Sequence, residues 1–176
     1  MKLVAFDTQL LIWGVQGTSH PSQGQLIPRA RALIEELSKA QVKVIIPLAA
    51  AVEYVCGFAV VDQPKQWDRL SKSFRLIPFD QRAAQIAAQI ERRRHEAKAT
   101  PQKKATKKTA SKRRSTDIAR QKVKVDVQIL ATAIAAGAES IFTDEVAHFS
   151  ELASGLKIKV LNLKSRDYQT QFPFTE

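Results

Sequence analysis

The sequence predicts an α/β protein, a three-layer α/β/α sandwich with a mostly parallel central sheet. Short apolar runs rich in β-branched residues, such as Lys2–Phe6 and Val42–Ile46, have the length and composition of strands buried on both faces. Segments with apolar residues at helical spacing separate these runs. Strands that alternate with helices in this way form parallel sheets covered by helices on both sides.

The first half of the chain contains two predicted strand–helix units. Each strand is closed by a residue that interrupts the apolar run, Asp7 in the first unit and Pro47 in the second. In chain order we expect a strand (Lys2–Phe6), a short helix or turn near Leu10–Trp13, a loop over residues 14–25, a helix from Pro28 to about Lys39, a strand (Val42–Ile46) and an apolar helix from Leu48 to about Val61.

The second half repeats the pattern after a change in composition. In chain order we expect a helix from Gln63 to Lys72, a short strand (Arg75–Ile77), a helix capped by Asp80 and running to about His95, a helix (Val123–Ala136) with Gly137 at its C-cap, a strand (Ser140–Phe142), a helix (Val146–Leu152) and a last strand (Lys157–Leu161). These elements predict one domain over residues 1–161, with a basic disordered insertion at about 96–118 and a tail over 162–176.

The net charge of +11 is concentrated in one segment. Arg92–Lys122 contains thirteen basic and two acidic residues, whereas the rest of the chain contains fifteen of each. Lys98–Ser115 has no large apolar residue that could enter a core, so we expect a mobile loop. A polyanion such as RNA is one partner for this loop, and a solvated tract that maintains solubility is the alternative. The candidate phosphate-binding residues are Lys103, Lys104, Lys107, Lys108, Lys112, Arg113 and Arg114.

Composition also bears on the compartment. The single cysteine, Cys56, excludes an internal disulfide and fits a reducing cytoplasm, and its apolar neighbours predict that it is buried. Met1–Phe6 does not have the pattern of a signal peptide, and no run of about 18 uncharged apolar residues predicts a membrane span.

Several carboxylates fall where ligands bind in such folds, beyond the carboxyl ends of the strands. Asp7 follows the first strand, and Asp144–Glu145 follows the Ser140–Phe142 strand. Glu53 and Asp126 each interrupt an otherwise apolar helix, where an unpaired charge is costly. Each acid has a structural alternative: a turn residue for Asp7, a buried ion pair for Glu53 and a helix cap for Asp126.

The chemistry of clustered carboxylates favours a metal site. Such groups repel one another and need a cation to stay ionised together, and oxygen ligands select Mg²⁺ or Mn²⁺. A bound divalent ion can activate water and stabilise charge on a phosphate. The sequence contains no GxxxxGK[ST], HExxH or GxSxG motif, and its three histidines, His20, His95 and His148, are scattered. Metal-dependent phosphodiester hydrolysis is therefore the reaction class that remains.

The segment Asp126–Phe149 resembles a conserved block of the PIN-domain nucleases, which include the toxin ribonucleases of toxin–antitoxin pairs. The resemblance rests on Ala131-Thr132-Ala133, Gly137-Ala138, Thr143 and Phe149, together with Asp7-Thr8 and the apolar helix that carries Glu53. It covers about residues 1–161.

The resemblance implies an α/β sandwich with a parallel sheet, three or four acids that bind Mg²⁺ or Mn²⁺, and cleavage of single-stranded RNA. Asp7, Glu53 and Asp126 match the first three acids. The last acid of the family's Thr-x-Asp motif falls on Glu145, with Asp144 directly before it, so either is a candidate. Thr143 would orient a carboxylate or water, and Thr8 is a weaker candidate for the same role. The Glu at 145 and the long Lys-rich loop depart from the family pattern.

The resemblance also implies partners. Toxin-type members are held inactive by a small antitoxin, and homodimers are common, with Val55–Val61 or Phe172–Phe174 as candidate surfaces here. Two other functions compete with a ribonuclease: a non-catalytic nucleic-acid-binding module that keeps the fold, and a DNA-directed nuclease related to the flap-type enzymes. The latter usually carry more acids and more domains than this chain holds.

Overall fold

Five parallel strands form the centre of the molecule. The computed structural model describes residues 2–99 and 110–163, with the side chains of residues 2–96 and 121–163. The sheet order is β3-β2-β1-β4-β5, and every neighbouring pair is parallel, which confirms the predicted fold class. The strands are β1 (Leu3–Phe6), β2 (Lys43–Pro47), β3 (Arg75–Ile77), β4 (Ser140–Phe142) and β5 (Lys159–Leu161).

Helices cover the sheet. Because parallel crossovers are right-handed, the helices before β3 lie on one face and those after it on the other. They are α1 (Thr8–Leu11), which continues into a π-turn (Ile12–Gln16), then a 3₁₀ turn (Pro21–Gln23), α2 (Leu26–Lys39), α3 (Leu48–Cys56), α4 (Gln63–Ser73), α5 (Gln81–Ala99), α6 (Ala110–Ala135) and α7 (Val146–Leu152).

The core lies around β1 and β4. The last three residues of β1 and all three of β4 are buried, and the rings of Phe6 and Phe142 meet edge to face with centroids 5.8 Å apart. The core extends past β5 to Leu163, which is 2 % exposed and whose carbonyl accepts a hydrogen bond from Arg29 at 3.4 Å. The packed domain therefore reaches two residues beyond the predicted boundary at 161.

Helix α3 is shorter than its apolar pattern predicts. It ends at Cys56, and Gly57, a poor helix former, begins a series of turns. Val60 and Val61, which were expected to belong to a buried helix, are 81 % and 84 % exposed. The expectation that Cys56 is buried is also wrong, because the helix turns this residue towards solvent.

The basic segment is more helical than expected. Helix α5 runs to Ala99 and α6 begins at Ala110, so the disordered insertion predicted at about 96–118 is helical at 96–99 and 110–118. Lys and Arg are good helix formers, and a helix already packed from Val123 onwards can extend without a new nucleation step. The backbone of Lys112, Arg113 and Arg114 belongs to α6, while Lys103, Lys104, Lys107 and Lys108 lie outside the described residues. Neither α6 nor another described helix is both long and apolar enough to cross a membrane.

Candidate active site

The strand order reverses beside β1, and Asp7 and Thr143 lie there. Asp7 directly follows β1, and its backbone N–H donates to the carbonyl of Phe142 at 3.0 Å. Thr143 directly follows β4, and its N–H donates to Leu161 at 2.9 Å. These backbone bonds hold the two side chains together, so that the Thr143 hydroxyl donates to Asp7 Oδ2 at 2.7 Å. Both residues are buried.

A second set of bonds connects Asp7 to α3. The backbone N–H of Thr8, the first residue of α1, donates to Asp7 Oδ1 at 2.7 Å, so Asp7 caps this helix. The Thr8 hydroxyl donates to Glu53 Oε2 at 2.6 Å. Glu53 is exposed rather than buried in an ion pair, so Thr8 is the residue that holds its carboxylate beside Asp7.

On the other side, Glu145 connects the site to α6. The backbone N–H of Glu145 donates to the Thr143 hydroxyl oxygen at 3.1 Å, so the chain after β4 is fastened to the residue that binds Asp7. The ammonium group of Lys122 donates to Glu145 Oε1 in an ion pair. Lys122 precedes Asp126 by four residues on α6, and this spacing places both on one face of the helix.

Asp126 lies deep in the interior of α6 and not near its start. Sixteen residues of the helix precede it, which excludes the alternative that it is a helix cap. Asp126 is 5 % exposed, and its Oδ2 lies 3.1 Å from Nε2 of His148 on the first turn of α7. The buried carboxylate of Asp126 therefore has a specific partner, which is expected because burying a charged group without a partner is costly.

Asp144 has a different environment from Glu145. Its Oδ2 accepts a hydrogen bond from Nε2 of Gln23 at 3.3 Å. Gln23 belongs to the 3₁₀ turn before α2, so Asp144 is held towards that turn, whereas Glu145 is held towards α6.

Burial and like charges make the two buried acids hard to ionise. Burial raises the pKa of Asp7 to about 6, although the hydrogen bonds from Thr143 and Thr8 act in the opposite direction. The charges of Asp126 and Glu53 raise the same pKa further. Burial likewise raises the pKa of Asp126, with Glu145 and Glu53 contributing, while His148 and Lys122 lower it. The acids from β1, α3, α6 and the chain after β4 therefore act on one another's pKa values.

The acids lie near one another but are not arranged as a complete set of metal ligands. Within the part of the chain that the structure describes, no three His, Cys, Asp or Glu side chains are arranged to hold one metal ion together. Two cationic or basic groups, Lys122 and His148, already contact two of the four carboxylates.

Sequence reasoning missed both of these groups. His148 was counted among scattered histidines, although it is four residues after Asp144, at the start of a predicted helix. Lys122 was counted only as part of the basic segment. Lys122 lies four residues before Asp126, a spacing that places two residues on the same face of a helix. The sequence indicates this only if α6 starts before Val123, as it does in the structure.

The fold is the PIN-like fold that the sequence predicted, a parallel five-stranded α/β sandwich with acids at the point where strand order reverses. No protein-family model matches the chain, and no curated protein matches it in sequence.

Solved VapBC complexes share this fold over nearly their whole matched chain. VapBC2 from Rickettsia felis, bound to a DNA fragment from its promoter, has a TM-score of 0.59 at 12 % identity and covers 91 % of this chain and 98 % of its own. DNA-bound VapBC from Salmonella typhimurium has a TM-score of 0.57 at 14 % identity, covering 93 % and 99 %. VapBC-1 from nontypeable Haemophilus influenzae has a TM-score of 0.58 at 9 % identity, with the same coverage. At these identities the likeness establishes the fold alone.

Proposed function

We propose that this protein is a divalent-metal-dependent endoribonuclease that cleaves single-stranded RNA, the toxin of a toxin–antitoxin pair. One observation carries the proposal. Asp7 is a buried carboxylate at the reversal of strand order, its pKa is raised to about 6 mainly by burial, and the charges of Asp126 and Glu53 act on it. Such an arrangement is unfavourable for folding, and functional sites are where such perturbed groups collect.

The residues fit Mg²⁺ or Mn²⁺. The available donors are carboxylate oxygens, which these hard cations prefer, and Mg²⁺ commonly keeps several waters and binds through one or two carboxylates. Asp7, Glu53, Asp126 and Glu145 are the residues that would hold the ion. When bound, the ion supplies an activated water and stabilises charge on the phosphate.

The chain's own residues have separate roles in this proposal. Thr143 orients Asp7 through its hydroxyl, and Thr8 orients Glu53 in the same way. Of the two candidates for the fourth acid, Glu145 is favoured, because its charge acts on Asp126 and its N–H binds Thr143. Asp144 is then a positioning residue, fastened to Gln23.

The basic segment supplies sequence-independent affinity for the RNA backbone. Because α6 contains both Asp126 and the backbone of Lys112–Arg114, the segment leads directly into the acid site. Contacts of this segment with phosphates would not select a base. The residues that would make them are Lys103, Lys104, Lys107, Lys108, Lys112, Arg113 and Arg114.

A protein partner is proposed on two grounds. Solved proteins that share the fold include VapBC complexes. On this chain, apolar side chains lie exposed on and after the helix that carries Glu53, at Val52 on α3 and at Val60 and Val61 beyond its end. An antitoxin or a second copy of the chain that covered these residues would remove apolar surface from water.

The test is cleavage of a panel of single-stranded RNAs and DNAs by the purified protein in Mn²⁺, Mg²⁺ or EDTA. We expect cutting of RNA that requires the metal and is lost in Asp126→Asn. Asp68→Asn is the matched control, since Asp68 is exposed and pairs with Lys72 away from the acids. Cutting in EDTA, or cutting that survives Asp126→Asn, contradicts the proposal.

A non-catalytic nucleic-acid-binding module is the second candidate. The observation that favours it is the ion pair of Lys122 with Glu145, which neutralises one acid of the site. Under this alternative the same panel is bound and not cut in either metal, and binding is lost when residues 98–114 are deleted.

A further inference from the structure

Lys122 lies where the basic segment meets the acid site. It is the last residue of Arg92–Lys122, the segment that carries the net positive charge of the chain, and it lies one helical turn before Asp126 on α6. Two residues four positions apart on a helix lie on the same face, about 6 Å apart along the helix axis. The side chain of Lys122 therefore extends from the same face of α6 as the buried carboxylate of Asp126.

Direct contacts connect Lys122 with the strand end that carries Asp7. The ammonium group of Lys122 pairs with Glu145 Oε1. The backbone N–H of Glu145 donates to the Thr143 hydroxyl oxygen at 3.1 Å, and that hydroxyl donates to Asp7 Oδ2 at 2.7 Å. The hydrogen bond to Glu145 raises the pKa of Lys122, and the charge of Asp126 acts in the same direction. Lys122 is therefore a cation that belongs to the acid site.

The ion pair of Lys122 with Glu145 is open to solvent. The two side chains are 57 % and 40 % exposed, respectively. An exposed ion pair contributes little to stability, so separating its two partners costs little. The lysine side chain is a flexible stem that carries a compact charge and three donors, and such an ammonium group binds phosphate oxygens well. Lys122 can therefore exchange Glu145 for a phosphate that reaches the site.

The proposed metal site carries an excess of negative charge. When all four of its carboxylates are ionised, they outweigh one divalent ion by two charges, and a phosphate brings further negative charge. Sites that bind a reacting phosphate commonly add lysine or arginine to the metal ion for this reason. The ammonium group of Lys122 would reduce the excess on the side from which the basic segment approaches.

We propose that Lys122 is a substrate-binding residue of this site, whose ammonium group moves from Glu145 to an oxygen of the RNA phosphate when Glu145 binds the divalent ion. The inference rests on the proposed function, since it takes the acids as the metal site and RNA as the ligand. It adds a coupling between the two ligands, because the carboxylate that binds the ion is the one that releases Lys122. Metal and phosphate should each strengthen the binding of the other through this residue.

The probe is adenosine 5′-monophosphate, which presents a phosphate but has no phosphodiester bond to cleave, with adenosine as the uncharged comparison. NMR titration of the full-length ¹⁵N-labelled protein measures the dissociation constants in EDTA and in saturating Mg²⁺. We expect Lys122→Gln to weaken monophosphate binding about three- to tenfold in Mg²⁺, as for the loss of one partly exposed bond between charged groups. The loss should be much smaller in EDTA, where Glu145 holds the ammonium group.

Lys124→Gln is the matched control, because Lys124 is exposed on the same helix and its replacement removes the same charge. Its effect should be small and equal with and without Mg²⁺. Lys122→Arg keeps the charge and should retain most of the gain in affinity that Mg²⁺ gives. Thermal unfolding confirms that the variants, all at exposed positions, are folded. Equal losses in the two glutamine variants, an equal loss of Lys122→Gln in EDTA and Mg²⁺, or equal binding of adenosine would overturn the inference.

Cleavage of the RNA panel in Mn²⁺ separates this inference from the proposed function. If RNA is cut and Lys122→Gln binds the monophosphate as Lys124→Gln does, the inference alone fails. If no RNA is cut and monophosphate binding in Mg²⁺ still depends on Lys122, the phosphate contact is supported and the ribonuclease activity alone fails.

Discussion

Asp7 is 6 % exposed, so folding removes its carboxylate almost completely from water. Its pKa rises from 3.8 to about 6, mainly through burial. The folded protein therefore binds a proton on Asp7 more tightly than the unfolded chain. The stabilisation due to the protonated form is complete below pH 3.8 and is lost as the pH rises through about 6.

Asp7→Asn should therefore stabilise the metal-free protein at neutral pH. The amide carries no charge, and it can keep both neighbours by accepting from Thr8 N–H and donating to the Thr143 hydroxyl oxygen. In EDTA at pH 7.5 we expect the free energy of unfolding to rise by about 1–3 kcal/mol. Chemical denaturation across pH 4–8 measures it. The difference should shrink as the pH falls below 6, and a variant that is less stable at pH 7.5 would contradict the assignment.

Lys122 forms an ion pair with Glu145, a carboxylate that the proposed metal ion also needs. Removing the ammonium group should therefore strengthen Mn²⁺ binding, and we expect Lys122→Gln to lower the dissociation constant about two- to fivefold, since the pair is partly exposed and weak. Isothermal titration calorimetry measures this directly. Lys124→Gln removes the same charge two residues away at an exposed position and should leave Mn²⁺ affinity nearly unchanged. Similar effects in both variants would show that Mn²⁺ affinity depends on the overall positive charge of this region and not on the Lys122–Glu145 ion pair.

At the scale of elements, the end of α6 depends on one glycine. Gly137 has φ of +82°, and no atom lies within 4 Å of where its Cβ would be. Gly137→Ala should therefore lose about 1–2 kcal/mol of stability through backbone strain alone. Gly24, with φ of −54° and only an ordinary van der Waals contact between its Cβ position and the Pro21 carbonyl oxygen at 3.8 Å, is the control. Gly24→Ala should be neutral or stabilising by about 0.4–1 kcal/mol, because it restricts only the unfolded chain. Urea denaturation distinguishes the two, and equal effects would contradict the strain argument.

The elements that sequence patterns predicted best are those with strong periodicity. All five strands and the helices α2, α5 and α7 occur within a few residues of their expected bounds. The errors lie where local propensity and packing disagree. Helix α3 ends at Cys56 although the apolar pattern continues, and α6 extends back to Ala110 although residues 110–122 contain a single large apolar residue, Ile118. The early start of α6 follows from the high helix propensity of Lys and Arg and from continuity with a helix that is already packed.

At the scale of the whole molecule, the net positive charge lies in the basic segment. If the segment binds RNA phosphates, affinity must fall steeply with salt, by about 0.7 in log–log slope for each contact with a single strand. Replacing the seven residues Lys103, Lys104, Lys107, Lys108, Lys112, Arg113 and Arg114 by Gln should reduce that slope by about 0.7 for each contact that is lost.

Fluorescence anisotropy with a single-stranded RNA in EDTA, repeated over a range of salt concentrations, measures the slope. Lys39→Gln and Lys65→Gln, at exposed positions of α2 and α4, are controls that should leave it unchanged. An unchanged slope in the seven-residue variant would favour the interpretation of the segment as a tract that maintains solubility.

The sequence by itself determined the fold class, and it predicted which acids form the candidate site. Burial leaves a local signature, because an apolar run predicts a buried strand and an acid inside an apolar run predicts a functional or paired group. The partners of those acids were decided only by tertiary structure. The Thr143–Asp7 bond joins residues 136 positions apart, and the His148–Asp126 and Lys122–Glu145 contacts join residues 22 and 23 apart. Such contacts follow from strand order and helix length, and no periodicity along the chain encodes them.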